Sequence, residues 1–459
     1  MPTALWIWWQ KLHEAVLRML SQLGEQKLVD IVDCFAITEI HEYKLLSQIH
    51  GVKIGDTLRI IDARFNHLLF CEVIKIEDGD LVTLFPLGDT KNLSRQCLIQ
   101  KTNGEFNIKI GNYLFGKIIN GFGEVITTIA ENQTFDYEEI ALNSVLQVPN
   151  FSDKSIINEQ FITGVKALDI MTPVGYGQRM LICAQPGVGK TTTMNMLAQS
   201  DRMDVVIVNL IGERGREINE LLQVMGKNLL RKTIMVVSTS DRPFLEQVKS
   251  LYTAHAIANY YRQKGCNVLL LIDSITRFAR AMREVSLGAG ALLVRGYTSS
   301  VFAALPRIME MAGKMESGSI TTFYTALFEA ESNSNDPLVE EVKSITDGHI
   351  VLSRKIAANG RYPAVDFLDS ISRVQDNVIN KEQLALLRKV QLVYAEYKDL
   401  ELLIKLGEYE EGSDQHTDAI IQCYRELNKM FSQNNYLEYE TTDGILTECQ
   451  QLLGNYGFN

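Results

Sequence analysis

The sequence is poor in several features that mark particular classes of protein. Its seven cysteines are scattered through 459 residues, with no C-x-x-C pair and no spacing typical of a metal site. An odd number of dispersed thiols in a chain of this length favours free cysteines in a reducing compartment over a disulfide framework. No apolar run reaches the roughly 18 residues that a membrane-spanning helix needs.

Positive charge is also scarce, with 45 basic against 56 acidic residues and a formal net charge of −11. This balance argues against a protein that coats nucleic acid through bulk positive charge, although it is compatible with a local basic channel. The acidity is uneven, because residues 376–459 hold 15 acidic and 7 basic residues. We therefore predict an acidic C-terminal surface to which a basic partner would dock.

Tryptophan is confined to positions 6, 8 and 9. Residues 4–20 place apolar side chains at 5, 9, 12, 16 and 19 and charged ones at 11, 14 and 18, which predicts an amphipathic helix. The stretch is unlike a secretory signal, because no basic residue precedes it and Gln10 and Lys11 interrupt it. The helix either folds onto the protein's own core or docks on a partner protein or a membrane surface, and both interpretations stay open.

Three segments with different residue patterns follow this predicted docking segment of residues 1–24. Residues 25–105 are short β-branched runs broken by turn signals such as EDGD (77–80), which predicts a small β-barrel. In residues 106–375, apolar runs such as MLICA, DVVIVNLIG and NVLLLID alternate with amphipathic stretches, which predicts an α/β domain with a parallel sheet covered on both faces. Residues 376–459 keep a helical period and predict a helical C-terminal domain.

A phosphate-binding loop follows the strand MLICA (180–184). The pattern is G-x-x-x-x-G-K-[ST] with Ala184 at its first position, and a helix follows. Its glycines let backbone N–H groups surround a phosphate, Lys190 supplies a cation to the β- and γ-oxygens, and the Thr191 hydroxyl suits Mg²⁺. The predicted nucleotide-binding residues of the loop are Gly187, Val188, Gly189, Lys190, Thr191 and Thr192. The ligands implied are ATP and Mg²⁺.

Hydrolysis needs two further groups, a carboxylate that holds the metal and one that positions water. Asp273 ends the apolar run NVLLLID, where a metal-holding carboxylate is expected. Glu213 follows the neighbouring run DVVIVNLIG, and carboxylates at the ends of parallel strands reach the same side of a sheet. We predict that Asp273 holds Mg²⁺ and that Glu213 polarises the attacking water. A helix cap is the alternative for Asp273 and a surface salt bridge the alternative for Glu213.

Several ordered motifs then point to one family. GERGRE, LLLIDSITRFARAMRE, RGYTSSVFAALPRIMEMAG, GSITTFYTALFE and DGHIVLSRKIAANGRYPAVDFLDSISRV resemble the ATPase of type III secretion and flagellar export systems. That family is similar to the catalytic subunit of rotary ATP synthases. The resemblance runs from about residue 25 to the end and is densest over 161–375. It implies a multidomain α/β protein with an N-terminal β-barrel, a central RecA-like P-loop NTPase domain and a C-terminal helical domain.

The resemblance also implies roles for individual residues. Glu213 matches the catalytic glutamate, with Arg214 beside it, and Asp273 matches the Walker B aspartate. Tyr362 matches the aromatic residue that stacks on adenine. Arg373 matches the arginine finger, which reaches the γ-phosphate of the neighbouring subunit and is typically worth ~10³–10⁵ in rate. A finger supplied in trans implies a ring, and the family forms homohexamers.

Partners and location follow from the same resemblance. The implied function is an ATP-hydrolysing motor of a type III secretion apparatus that releases chaperones from export substrates and unfolds them. Departures from the family motifs favour a virulence-type over a flagellar system, and both stay open. A stator-like regulator, and in flagellar members lipid, would bind the N-terminus. A central stalk protein would contact residues 406–412, and chaperone–substrate complexes would bind the C-terminal domain. The implied location is cytoplasmic, peripheral to the inner membrane at the secretion apparatus.

Three other functions are weighed against this one. A rotary synthase catalytic subunit would have the same motor core. The residues of the motifs GERGRE, DSITRFA and VFAALPR and the tryptophan-rich N-terminus favour export over this function. An RNA-translocating hexamer of the Rho type needs interleaved aromatic and basic residues in its N-terminal domain, and residues 25–105 do not show them. A non-catalytic ring subunit is disfavoured because both Glu213 and Arg373 are present.

Overall fold

The structure is a computed structural model that describes residues 34–458, apart from 42–43, 63, 65, 89, 92, 103–105, 131–133, 143–145, 329–335 and 435–440. The amphipathic helix predicted for residues 1–24 lies outside the described residues. The chain divides into two compact units between Phe106 and Asn107. Among the helices of the described ranges, none combines the length and the apolar character that crossing a bilayer requires.

The first unit is a closed barrel of six antiparallel strands in the order β1-β2-β5-β4-β3-β6. The strands are β1 (Cys34–Ile40), β2 (Leu45–Gln48), β3 (Thr57–Ile61), β4 (His67–Glu77), β5 (Leu81–Pro86) and β6 (Leu98–Gln100). Side chains alternate between the barrel interior and the solvent: Leu58 and Ile60 of β3 are buried, while Arg59 between them is exposed. Gly79 and Asp80 both adopt positive φ in the turn from β4 to β5, as the turn signal predicts. The predicted β-barrel is confirmed.

The second unit is built around a ten-stranded sheet with the main order β22-β21-β13-β20-β16-β14-β15-β8-β9. Its central strands are parallel and buried, while β9, β19 and β22 join antiparallel at its margins. The strands are β7 (Asn107–Ile110), β8 (Lys117–Ile119), β9 (Val125–Thr128), β10 (Glu138–Ala141), β11 (Gln160–Phe161), β12 (Val174–Gly175), β13 (Arg179–Ala184), β14 (Val205–Ile211), β15 (Thr233–Ser238), β16 (Asn267–Asp273), β17 (Leu293–Val294), β18 (Tyr297–Thr298), β19 (Gly313–Lys314), β20 (Ser319–Leu327), β21 (Gly348–Leu352) and β22 (Ile371–Ser372). The pairs β7–β10, β11–β12 and β17–β18 form small separate sheets. The parallel sheet predicted from the apolar runs is confirmed.

Helices connect the parallel strands and continue beyond the last one. They are α1 (Lys166–Met171), α2 (Lys190–Ala198), α3 (Gly215–Val224), α4 (Lys227–Leu230), α5 (Phe244–Gln263), α6 (Ile275–Gly288), α7 (Ser299–Met309), α8 (Pro337–Ile345), α9 (Arg354–Ala358), α10 (Gln375–Val378), α11 (Lys381–Leu406), α12 (Gln415–Phe431) and α13 (Thr442–Asn455). Short 3₁₀ turns occur at Asn112–Leu114 and Phe151–Asp153. The C-terminal part is helical, as its sequence texture predicts.

The C-terminal helices share one hydrophobic core with the sheet. Buried residues of α11 and α12, such as Val390 and Leu427, belong to the same cluster as Ile350 of β21 and Phe367. Side chains of the two parts therefore pack in one continuous core. The predicted domain bounds (25–105, 106–375 and 376–459) stay predictions.

The parallel arrangement gives the sheet two chemically different edges. The carboxyl ends of β13, β14 and β16 lie together, so that the residues after Ala184, Ile211 and Ile272 meet at one edge. β22 pairs with the first residues of β21, and therefore lies at the opposite, amino edge. A ligand site is expected at the carboxyl edge of such a sheet.

Candidate functional site

The phosphate loop connects the end of β13 to the start of α2. Gly187 and Gly189 have φ of 82° and 94°, a left-handed conformation that glycine adopts without steric cost. Gly189 is the N-cap residue of α2, and its carbonyl accepts the first helical hydrogen bond from Thr193 N at 2.9 Å. The loop thus presents a helix N-terminus to the carboxyl edge of the sheet, a geometry that favours bound anions.

Lys190 lies between two carboxylates at this edge. Its side chain is buried, and its Nζ pairs with Asp273 Oδ1. The same Nζ lies 3.7 Å from Glu213 Oε1. A lysine shared by two buried carboxylates is held at the base of the site by charge as well as by packing.

Glu213 follows β14 and is only 3% exposed. Gly212, with φ of 65°, turns the chain after the strand so that the carboxylate enters the site. Burial, followed by the negative charge of Asp273, raises the pKa of Glu213 to about 7, and Lys190 and Arg277 oppose the rise. The carboxyl group therefore exchanges its proton near neutral pH, as a group that handles protons in catalysis should.

Asp273 is the last residue of β16 and is buried. Its Oδ1 accepts a hydrogen bond of 2.7 Å from Thr325 Oγ1. Thr325 lies on β20, which pairs with β16 in parallel up to Ile272 and Tyr324, one residue before the hydrogen-bonded pair. Ser274, rather than Asp273, caps the following helix, because its hydroxyl accepts a hydrogen bond from the N–H of Arg277 at the start of α6. The Asp273 carboxylate is thereby left to the site.

Arg277 is a site residue that the sequence analysis does not single out. Its Nη2 donates to Glu213 Oε2 at 3.0 Å, and its Nε lies 2.9 Å from Oε1 of the same carboxylate. Its Nη1 donates to the carbonyl of Gly212 at 2.5 Å. Arg277 stands four residues after Asp273, one turn into the helix that follows the strand. That spacing is the signal that would have identified it, because a helix turn brings the residue back over the strand ends.

These residues surround one open cleft of about 550 Å³. Tyr362 forms one side and is 38% exposed, beside the phosphate loop, and a Cβ added to Gly189 would lie 3.4 Å from Tyr362 Cδ1. The cleft is lined by Gln185, Pro186, Gly187, Gly189, Lys190, Thr191, Thr192, Glu213, Glu217, Arg277, Leu327 and Tyr362. The structure therefore brings most of the predicted nucleotide-site residues together around a volume in the range of small-molecule sites.

Four predicted residues do not line the cleft, and one of them, Asp273, is buried beneath it, where it pairs with Lys190. Val188 is 1% exposed and packs into the hydrophobic core under the loop. Arg214, the N-cap residue of α3, is exposed and does not line the cleft. Arg373 follows β22 at the amino edge of the sheet, where its Nη1 and Nη2 donate to the carbonyls of Ser344 at 3.3 Å and Lys343 at 3.2 Å. Within one chain, Arg373 thus lies at the edge opposite the cleft.

The donors present suit ATP and a hard divalent cation. Glycine-rich backbone, a helix N-terminus and Lys190 suit phosphate oxygens, and the Tyr362 ring offers a flat apolar face. The Thr191 hydroxyl and the Asp273 carboxylate are oxygen ligands of the kind that Mg²⁺ accepts alongside phosphates and water. Among the described residues, no group of three or more His, Cys, Asp or Glu is placed to hold a metal by itself. The residues therefore fit a metal that arrives with a nucleotide rather than a protein-only metal site.

Two parts of the chain match described protein families. Residues 164–372, which include the cleft, match the "ATP synthase alpha/beta family, nucleotide-binding domain". Residues 379–445, which include α11 and α12, match the "T3SS EscN ATPase C-terminal domain".

Full-length relatives show the same likeness. The type 3 secretion system ATPase of Xanthomonas euvesicatoria is 40% identical over 372 residues, which are 80% of this chain and 83% of that protein. The flagellum-specific ATP synthase of Bacillus subtilis (strain 168) is 36% identical over 420 residues, or 89% of this chain and 94% of that protein. The assembled ATPase EscN of the enteropathogenic E. coli type III secretion system has a TM-score of 0.83 at 36% identity, and the match covers 91% of this chain and all of that one. EscN in complex with its central stalk EscO matches at a TM-score of 0.81 and 35% identity, with the same coverage.

Proposed function

This chain belongs to the family of type III secretion and flagellar ATPases, and from that premise we propose that it hydrolyses ATP to power protein export through a type III secretion apparatus. The observation that carries the proposal is the buried trio of Lys190, Glu213 and Asp273 beside the phosphate loop. A lysine and two carboxylates beside a phosphate loop are groups that phosphoryl transfer to water uses.

Each member of the trio has a distinct role in this proposal. Lys190 binds the β- and γ-oxygens and neutralises charge on them, as the P-loop lysine of such sites does. The Thr191 hydroxyl and the Asp273 carboxylate would hold Mg²⁺, which would supply positive charge to the phosphate oxygens. Glu213, as a carboxylate, accepts a hydrogen bond from the attacking water and orients it.

Arg277 acts on Glu213 rather than on the substrate in this proposal. Its Nη2 donates to Oε2 at 3.0 Å and its Nε lies 2.9 Å from Oε1, so one hydrogen bond and one ion-pair contact hold the carboxylate. Its positive charge also stabilises the ionised form of Glu213 against the effect of burial.

The arginine finger is proposed to act between subunits. Arg373 is exposed at the amino edge of the sheet, whereas the cleft lies at the carboxyl edge, which supports a finger that reaches the cleft of a neighbouring chain. A head-to-tail contact of this kind generates a ring when its rotation closes, and we propose a homohexamer. Arg214, exposed at the start of α3, is proposed to assist catalysis beside Glu213 once a neighbour or the nucleotide covers the cleft.

The export role also rests on the C-terminal helices. Leu402, Leu403 and Leu406, near the end of α11, are 65%, 42% and 62% exposed. They precede the acidic loop of residues 408–411, so apolar and acidic groups are presented together. We propose that residues 406–412 contact a central stalk protein, and that chaperone–substrate complexes bind the acidic C-terminal domain, where hydrolysis releases the chaperone and unfolds the substrate.

The remaining proposals concern the N-terminus and the location. Residues 1–24 are proposed to bind a stator-like regulator and to touch the membrane surface, with the protein cytoplasmic and peripheral to the inner membrane. The match of residues 379–445 to the secretion-type C-terminal domain supports export rather than ATP synthesis, and it also supports a virulence-type system.

A lysine substitution tests the proposed function. Purified full-length chain should hydrolyse ATP in the presence of Mg²⁺, and Lys190→Ala should reduce the rate by at least ~10²-fold because the phosphates lose their cation. Lys381→Ala, at the exposed start of α11, is the matched control and should retain the rate. In cells that lack the native export ATPase, the wild-type gene should restore secretion and the Lys190 variant should not. Absence of hydrolysis by the wild-type chain would refute the proposal, and hydrolysis without restored secretion would refute the export role.

A further inference from the structure

The segment between α9 and β22 turns two adjacent side chains in opposite directions. Tyr362 is 38% exposed and lines the cleft beside Gly189. Arg361 is 3% exposed and points away from the cleft, towards the C-terminal helices. A single peptide unit therefore carries both the proposed adenine contact and an anchor in a different part of the molecule.

Arg361 fixes this peptide to two C-terminal helices at once. Its Nη1 donates to Tyr394 Oη on α11 at 3.0 Å and to Asn428 Oδ1 on α12 at 3.1 Å. Tyr394 Oη in turn donates to Asn428 Oδ1 at 3.2 Å, which closes the triangle. The Arg361 Nη2 donates to the carbonyl of Val365, so the guanidinium also braces its own loop.

Aromatic rings enclose the guanidinium. Its central carbon lies 4.2 Å from the Phe367 ring centroid and 5.6 Å from that of Tyr394. The acceptors of Arg361 are a phenol, a side-chain amide and a main-chain carbonyl, none of which carries a charge. Because burying a cation is costly, a purely packing role would be served better by an apolar side chain. The planar fork of arginine instead supplies several directed hydrogen bonds from one rigid group.

A second clamp holds the other side of the same peptide. Gln433, just after α12, is buried, and its main-chain N–H donates to the carbonyl of Tyr362 at 2.7 Å. Its side chain donates to the carbonyl of Gly164 at 2.8 Å and accepts from Lys166 N at 2.8 Å. The main chain of Tyr362 is thus held from two sides. Arg361 binds Asn428 near the end of α12, and Gln433, just after α12, binds the Tyr362 carbonyl.

The geometry points to Arg361 as a positioning residue that ties the adenine-facing ring of Tyr362 to helices α11 and α12. The inference deepens the proposed function and rests on it, because it assumes that Tyr362 stacks on the adenine of ATP. Movement of α12 relative to the sheet would turn the Tyr362 peptide and change the affinity for the base, while the phosphate loop on β13 and α2 would keep its geometry. The helices thereby set base affinity separately from phosphate affinity.

Kinetics of an Arg361→Met variant test this role. Methionine keeps the apolar bulk and removes the hydrogen bonds and the buried charge, so the variant should fold. The KM for ATP should rise about 3- to 10-fold, the range expected when one well-oriented aromatic contact is lost, with kcat within about twofold. Inorganic tripolyphosphate, which occupies the phosphate loop without a base, should inhibit wild type and variant with equal inhibition constants. Arg388→Met, on the exposed face of α11, is the control and should match wild type.

A double substitution separates positioning from general damage. In a Tyr362→Ala background, Arg361→Met should raise KM no further, because the residue that it positions is already absent. A milder variant, Tyr394→Phe, removes only the phenol oxygen of the triangle and should raise KM in the same direction by a smaller factor; it carries the test if Arg361→Met does not fold.

The outcomes divide clearly. Non-additive effects on KM with an unchanged tripolyphosphate constant support the inference. An additive effect in the Tyr362→Ala background, an equal loss of tripolyphosphate binding, or an unchanged KM in Arg361→Met and Tyr394→Phe would overturn it while ATP hydrolysis by the wild type still stood. An unchanged KM in Tyr362→Ala would overturn the inference and the stacking role together. Only a wild-type chain without ATPase activity would overturn the proposed function itself.

Discussion

At the residue scale, the site is governed by two carboxylates that share one lysine. Lys190 pairs with Asp273 and lies 3.7 Å from Glu213, while Arg277 braces Glu213 from the other side. Burial and the Asp273 charge raise the pKa of Glu213 to about 7, whereas the two cations oppose the rise. Burial and Asp273 therefore favour the neutral form of Glu213, while Lys190 and Arg277 favour its ionised form.

Replacing Glu213 by glutamine removes the carboxylate at nearly constant volume. We expect Glu213→Gln to bind ATP normally and to lose turnover by ~10²–10⁴-fold, because the amide does not accept the proton of the attacking water. Steady-state ATPase rates and equilibrium binding of a fluorescent ATP analogue would measure the two effects. The control is Glu220→Gln on the exposed face of α3, where the side chain pairs with Arg216 at 3.2 Å. Normal turnover in Glu213→Gln would remove Glu213 from this role.

A second titratable residue, His255, lies in the core and does not line the cleft. His255 of α5 is 1% exposed, its ring stacks on Tyr324 at 6.2 Å, and its Nδ1 has no hydrogen-bond partner among the residues that the structure describes. Burial, and secondarily the charge of Arg262, lowers the pKa of His255 from 6.5 to about 3. The imidazole is therefore neutral in the folded protein well into the acidic range.

The stability of the protein should consequently fall as the pH drops below 6.5. The unfolded chain takes up a proton on His255 near pH 6.5, whereas the folded chain does so only near pH 3, so acid favours unfolding between these values. The contribution of this one group between pH 7 and pH 4.5 is on the order of 2 kcal/mol. Denaturant unfolding of wild type and His255→Asn at both pH values should show a smaller acid loss in the variant. His50→Asn, at an exposed position, should keep the wild-type pH dependence, and equal slopes in all three proteins would contradict the prediction.

At the scale of elements, the loop between β13 and α2 depends on glycine for its path. Gly189 adopts φ of 94°, and an added Cβ would contact the Tyr362 ring at 3.4 Å. Left-handed backbone costs a residue with a Cβ ~1–2 kcal/mol. The loop conformation and the placement of Tyr362 therefore depend on the same missing side chain.

Substituting Gly189 by alanine should weaken nucleotide binding without unfolding the domain. We expect Gly189→Ala to lower the affinity for ATP by about 5- to 30-fold, because the strained loop turns its N–H groups away from the phosphates. Isothermal titration calorimetry with ADP would measure it. Gly215→Ala is the matched control, since Gly215 opens α3 without positive φ and its added Cβ would meet nothing within 4 Å. Wild-type affinity in Gly189→Ala would contradict this account of the loop.

Elements with strong local patterns are the ones that the sequence predicts well. The apolar runs that become β13, β14 and β16 are buried on both faces, and the EDGD turn closes a hairpin of the barrel. Arg277 is different, because its role appears only when α6 brings it back across the ends of two strands. The opposite facing of Arg361 and Tyr362 is also invisible in a linear pattern, since a partner in α11 and another in α12 decide it. Long-range contacts of this kind follow from topology rather than from local preference.

The roles given to individual site residues stay predictions, although the structure gathers many of them in one cleft. Glu213 and Asp273 could be placed from the sequence because parallel strands end at a common edge. Arg373 could be named only from the family resemblance, because an arginine after Ile371 and Ser372 has no local pattern that marks it. Its position at the amino edge depends on the two-residue strand β22, which is too short to be recognised by periodicity.

At the scale of the whole molecule, the two edges of the sheet are complementary halves of a proposed interface. One edge carries the cleft and the other carries Arg373, so each chain offers one half to each neighbour. Heterologous contacts of this type make every site a joint product of two chains. A chain that has lost its arginine finger should therefore regain activity beside a chain whose finger is intact.

Mixing two inactive variants should restore activity. Glu213→Gln chains keep a working Arg373, and Arg373→Ala chains keep a working cleft, so a quarter of the interfaces in a random equal mixture should be complete, giving about a quarter of the wild-type rate. ATPase rates before and after co-assembly would measure the recovery. A mixture of Arg373→Ala with the double variant Glu213→Gln/Arg373→Ala is the control and should stay inactive. Failure to recover activity in assembled mixtures would contradict a finger supplied in trans.

The hydrogen bond from Thr325 to Asp273 ties the chemistry of the site to the correctness of folding. The two residues follow the paired Ile272 and Tyr324 on neighbouring strands, so they meet only when β16 and β20 are aligned without an offset. Sliding one strand by a single position would set a side chain of the opposite face against the aspartate and leave its buried charge without that donor. A misaligned chain is thus destabilised at the residue that would bind the metal. The native register of β16 and β20 and an intact Asp273 site therefore form together.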